Sequence, residues 1–304
     1  MTAPTFALLA LSLAASSWQA NVLSDDPAVR ASELAHFRAK GRAGLYALQD
    51  LVNRAADPAE RARAIRALGE LGNPDAEWAL YLELKQSTPG VAAAAIRAVT
   101  ALRLVKLQSA VAAHVGDPNE NLTAALGESA ELFPKVIEAA RSRLVEPRPE
   151  AQLAALRIFA AAHAAVPESD ARRLLASPRP EISLLAAEAL AATDAAAAEA
   201  VEAKLAAGPD PLGSRAAFDL AKLGTPEASE ALEALARTPA CPERAVTALA
   251  STAGALPVLI SLRANESSLR PLIDRTLSRH PPAVAVLLAV AGGSDDGMAA
   301  AAVA

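Results

Sequence analysis

The chain has 304 residues, is 53% hydrophobic but only 3% aromatic, and carries a formal net charge of −5 with a sequence pI of about 5.5. That balance excludes a general nucleic-acid binder, which needs a basic stripe to displace counterions from phosphate. Alanine, the best helix former, dominates, and no strand-like run of alternating β-branched residues occurs, so the composition predicts an all-α fold.

The first segment is an apolar run from Phe6 to Ala15, too short to span a bilayer. Two readings fit residues 1–23. In the favoured one they form a capping helix, with Leu9, Leu13 and Trp18 packed on Leu34 and Phe37, and the protein is cytoplasmic. In the other, Ala15-Ser16-Ser17 is the cleavage site of a signal peptide and the protein is exported, although no Lys or Arg precedes the run.

From residue 24 onward prolines punctuate the chain. Pro27, Pro58, Pro89, Pro118, Pro149, Pro180, Pro211, Pro242 and Pro271 follow one another at intervals of 31 or 29 residues. A period of this size marks a stacked repeat, in which each unit buries its apolar face against its neighbours. Each proline is placed to open a helix, because its missing N–H has no intrahelical partner in the first turn. Asp26, Asp57, Asp117 and Asp210 precede four of them as N-cap candidates. Apolar residues follow on one helical face: Leu34 and Phe37; Ile65, Leu68 and Leu71; Ile96, Val99 and Leu102; Leu153, Leu156 and Phe159. A break then leads into a second helix, most clearly at Gly72-Asn73-Pro74 and Gly224-Thr225-Pro226, where glycine ends one helix and proline starts the next.

Residues 57–76, Asp-Pro-Ala-Glu-Arg-Ala-Arg-Ala-Ile-Arg-Ala-Leu-Gly-Glu-Leu-Gly-Asn-Pro-Asp-Ala, resemble the short bacterial HEAT repeat, also called the PBS-lyase HEAT-like repeat. Residues 210–226, Asp-Pro-Leu-Gly-Ser-Arg-Ala-Ala-Phe-Asp-Leu-Ala-Lys-Leu-Gly-Thr-Pro, are similar, with one residue fewer in the first helix. The other units keep the proline and the apolar face but lose the Gly-x-Pro turn. The resemblance implies an α-α superhelix over residues 24–290, of about eight to nine helix pairs, but no single activity. Residues 291–304, rich in Gly and Ala, read as a flexible tail. The excess of Arg over Lys, 23 to 6, together with the alanine content, suggests a GC-rich bacterial genome.

The pattern offers no catalytic set. His36, His114, His163 and His280 are isolated, and none is followed by Glu, whereas the HEAT-like enzyme deoxyhypusine hydroxylase uses repeated His-Glu pairs for its di-iron site. Cys241 is the single cysteine. No phosphate loop or nucleophile elbow occurs. The sequence therefore predicts no cofactor, no metal site and no membrane span. It reads as a non-enzymatic scaffold that binds another protein through the surface lined by its second helices. The alternative is a lyase-like or accessory enzyme subunit that holds a cofactor or substrate in a concave groove.

Three patches are candidates for the partner surface. By analogy with Ala228, Ala231, Leu232 and Ala236, the stripe Ala76, Ala79, Leu80 and Leu84 faces the core. Trp78, Tyr81, Leu82 and Lys85 then fall on the opposite face, where large amphipathic rings make effective anchors unless neighbouring repeats cover them. Between Arg141 and Arg179 seven Arg stand against four acids, and Lys135, Arg141, Arg143, Arg172 and Arg173 make a candidate basic ridge. From Glu181 to Glu233 ten acids stand against three bases, and Glu199, Glu202, Glu227, Glu230 and Glu233 make an acidic one.

Overall fold

A computed structural model describes residues 18–86 and 88–279, and every regular element among them is helical. The apolar run Phe6–Ala15 and the tail 291–304 lie outside the described residues. A helical stretch at 18–22 comes first. It is followed by α1 (Pro27–Ala39), α2 (Arg42–Arg54), α3 (Pro58–Leu71), α4 (Glu77–Gln86), α5 (Pro89–Ala101), α6 (Gln108–Ala112), α7 (Glu120–Ser129), α8 (Pro134–Leu144) and α9 (Pro149–Ala161). Then come α10 (Glu168–Leu175), α11 (Pro180–Leu190), α12 (Ala195–Ala206), α13 (Leu212–Leu223), α14 (Pro226–Arg237), α15 (Pro242–Ser251), α16 (Leu256–Asn265) and α17 (Arg270–Leu277). Along the chain these make eight helix pairs and the first helix of a ninth among the described residues. They fall into two compact units, divided after Val166.

Most of the marker prolines open helices, namely α1, α3, α5, α9, α11 and α15. Asp26 accepts a hydrogen bond from the Ala28 amide at 2.8 Å, and Asp57 accepts one from Glu60 at 3.0 Å, each satisfying a free donor of the first turn. The Asp117-Pro118 pair behaves differently. Helix α7 starts two residues after Pro118, and Asn119 takes over the cap by accepting from Leu122 at 3.1 Å. Pro211 likewise stands one residue before α13. Gly72 and Gly224 close α3 and α13 in the left-handed conformation (φ 81° and 66°), which a side chain would strain. Replacing Asp57 by Ala is expected to lower stability by about 1 kcal/mol, read as a shift of the urea midpoint.

The first unit packs first helix on first helix. Ile65, Leu68, Ile96, Val99, Leu122, Leu126, Leu156 and Phe159 are all buried along this seam. Arginines tie successive first helices together at its edge. Arg30 on α1, 6% exposed, holds Glu70 on α3 by two hydrogen bonds of 2.7 and 2.9 Å. Arg97 on α5 grips Glu128 on α7 in the same bidentate way at 2.8 and 3.2 Å. At the start of this unit Trp18 meets Phe37 with ring centroids 5.1 Å apart. The second unit has its own core, in which Leu184, Leu220, Leu232, Val246, Leu249, Leu256, Leu259 and Ile273 are buried together.

Candidate interaction surfaces

Helix α4 presents the aromatic face. Asn73 accepts from the Asp75 amide at 2.9 Å and caps a single turn, Pro74–Ala76, that leads into the helix. Ala76, Leu80 and Leu84 are buried, and Ala79 is half-buried, so the predicted core stripe holds. Its opposite face is open: Trp78 is 67% exposed and Leu82 37%. Trp78 and Tyr81 stack with centroids 5.5 Å apart and planes inclined by 28°. Lys85 Nζ lies 5.7 Å from the Tyr81 ring centroid, within cation–π range. Trp78 is left largely uncovered and Tyr81 is half-buried. Pro74, Asp75, Glu77, Trp78, Tyr81 and Leu107 line an open cavity of about 430 Å³.

Sequence reasoning missed Glu83. It is 7% exposed, on the buried side of α4, and pairs with Arg61 of α3 at 3.2 Å. The signal was present. In the matching helix the equivalent position is Leu235, which is also buried.

The basic ridge does not form a row of open cations. Arg172 pairs with Glu168 at 2.9 Å and Asp194 at 2.8 Å, and Arg173 pairs with Asp170 at 3.1 Å. Arg143 donates to the Val115 carbonyl at 3.2 Å and pairs with Glu146, while Lys135 donates to Ser109 Oγ at 3.0 Å. Arg141 is exposed on α8, in the first unit, whereas Arg172 and Arg173 belong to α10 in the second. Arg172 and Arg173 meet acids of their own helix at i−4 and i−3, a spacing that brings the two side chains together, whereas Arg143 meets Glu146 just past the end of α8.

The acidic ridge is also broken. Glu227 and Glu230 are exposed, Glu233 pairs with Arg237 at 3.1 Å, and Glu199 accepts from the Thr225 hydroxyl. Glu202 is 1% exposed and belongs to the interior instead. There it lines a cavity of about 370 Å³ with Glu188, Ala191, Asp219, Lys222 and Leu223. Burial, reinforced by the charges of Asp219, Glu188 and Glu199, pushes its carboxyl up to about 8. Burial and a hydrogen bond to Asp219 raise Glu188 to about 7 despite the adjoining Arg215.

Of the histidines, His36 and His163 are exposed, and His114 Nε2 lies 2.7 Å from the Leu84 carbonyl. His280 lies outside the described residues. Among the described residues no group of three or more His, Cys, Asp or Glu side chains is placed to hold a metal ion, and no helix is long and apolar enough to cross a membrane.

No family model and no curated protein matches the chain. Solved structures do. One is the complex of CpcE and CpcF of phycocyanin lyase from Nostoc sp. PCC7120, at 23% identity over 86% of this chain and 93% of that one, with a TM-score of 0.35. An archaeal HEAT-like repeats protein from Thermococcus onnurineus NA1 is 15% identical over 86% and 97%, with a TM-score of 0.34. Importin beta is 14% identical over 94% and 54%, with a TM-score of 0.44. In this chain the helix pairs, proline-led helix starts and left-handed glycine turns are those that the HEAT-like resemblance of its sequence implies. The fold is an all-α HEAT-like repeat. The superpositions are loose, and the HEAT-like architecture by itself assigns no activity.

Proposed function

We propose that this HEAT-like chain is a non-enzymatic scaffold that binds another protein through the surface lined by its second helices, with the aromatic face of α4 as an anchor. One observation carries the reading. Trp78 and Leu82 are exposed and, with the half-buried Tyr81, form a contiguous face of large side chains, and two of the three are held in a stack beside an open cavity. Pre-stacked rings lose little conformational freedom on binding, so their burial by a partner translates efficiently into affinity. Asp75 and Glu77 border the rings and Lys85 flanks them, which supplies a polar rim to fix orientation.

Trp78→Ala should leave the fold nearly intact, with less than about 1 kcal/mol lost, since the ring is mostly in water. The same change should abolish capture of the partner that the wild-type protein retains. Equal capture by wild type and variant would remove α4 from the binding surface. A collapse of stability would show that the ring belongs to the core.

A further inference from the structure

The carboxylate cavity of the second unit has no role in partner binding through α4, and its chemistry is incomplete. Glu188, Glu202 and Asp219 come from three successive helices, α11, α12 and α13. Two of the three are served by cations. Arg215 donates to Glu188 at 2.7 Å, and Lys222 donates to Asp219 at 2.8 Å. Glu202, almost wholly buried, has no hydrogen-bond partner on either carboxylate oxygen among the described residues. Three carboxylates thus share two cations, and Glu202, in a poorly hydrated position, has no cation of its own and is neutral only while it holds a proton. A fold retains such an arrangement at a cost unless something else completes it.

The missing component carries a single positive charge and N–H donors. We propose that this cavity binds a primary ammonium group, borne by a small amine or by a lysine side chain, with Glu202 as its buried acceptor. An ammonium has three donors and can reach acceptors on all three helices. The walls formed by Ala191 and Leu223 suit the alkyl stem behind it. No set of three ligands is placed for a metal ion among the described residues, so the chemistry is hydrogen bonding and not coordination. Lys222, with a side chain 70% exposed, lines the mouth and can swing aside.

When the cavity is empty a proton takes the same place, which is why Glu202 holds one so firmly. The groups acting on it are Glu188 from α11, Glu199 from its own helix, and Asp219 and Lys222 from α13. Binding of an ammonium displaces that proton, so affinity should rise by roughly twentyfold between pH 6.5 and 8.5.

Isothermal titration calorimetry of the full chain in amine-free buffer tests this, with propylammonium and Nα-acetyl-lysine amide as probes and potassium chloride as control. Saturable binding of propylammonium at pH 8.5, weakened about tenfold or more by Glu202→Gln, is expected. Gln copies the shape of the protonated acid, so the variant keeps the fold. Binding of both probes would assign the site to a lysine side chain, and binding of propylammonium alone to a free amine. The proposal is overturned if neither amine binds saturably, if Glu202→Gln binds as tightly as wild type, or if potassium competes on equal terms.

Discussion

Glu202→Gln will stabilise the protein at alkaline pH and leave it almost unchanged in acid. In the unfolded chain a glutamate titrates near its ordinary value of 4.5, whereas in the fold Glu202 titrates at about 8. The native state therefore binds the proton more tightly, and native stability falls as pH rises. The loss begins near the lower value and is complete above the upper one. Each unit of displacement corresponds to about 1.4 kcal/mol, which makes the full loss about 5 kcal/mol at most. The glutamine variant escapes it, because it never has to ionise in a buried position. Glu188, raised to about 7, acts in the same direction, so the variant should still lose some stability with pH, along a shallower curve. Urea unfolding followed by helical circular dichroism, at pH 5 and pH 9 without amines, is the measurement. A gap between variant and wild type that is the same at both values would show that Glu202 does not titrate between them.

A comparable effect is expected from Gly127→Leu, for a purely steric reason. Helix α7 passes so close to the end of α9 that a Cβ on Gly127 would lie 2.4 Å from the Ala161 Cβ and 2.9 Å from its carbonyl carbon. Gly69 on α3 repeats the device against Ala98 on α5, at 2.7 Å. Leucine would improve helix propensity by up to about 1 kcal/mol, but it must push two backbones apart along a close-packed seam. A net loss of about 3 kcal/mol is expected. Gly90→Ala is the contrast. Nothing lies within 4 Å of its added carbon, so it should gain a few tenths to about 1 kcal/mol. Thermal midpoints of the two variants should move in opposite directions. If both rise, the first helices are not in backbone contact.

Much of the fold was legible because proline and glycine act locally. A proline with Asp before it specifies a helix start whatever surrounds it, and Asp26 and Asp57 do cap as written. The reading failed where a neighbour did the job better, as at Asn119, which displaces Asp117. The outward face of α4 was legible because its inward face has a second copy in α14. The interior carboxylates were not, since a glutamate in an alanine-rich helix reads as a solvated charge. Glu202 nevertheless has Ala198 and Ala206 at four residues on either side, both buried, and that spacing marks the inner face. The second partner of Arg172 was out of reach for a different reason. Arg172 meets Asp194 through the fold, and composition reports how many charges there are but not which ones meet.

The uneven placement of the two tryptophans turns the chain into its own optical gauge. Trp18 is half-covered and leans on a phenylalanine, whereas Trp78 stands in solvent. Their indoles therefore emit from different surroundings, and a soluble quencher such as iodide reaches the second far more readily than the first. With Trp18 changed to Phe, the remaining fluorescence comes from α4 alone. Docking on that helix would then register as a blue shift and a loss of quenching, without any label attached.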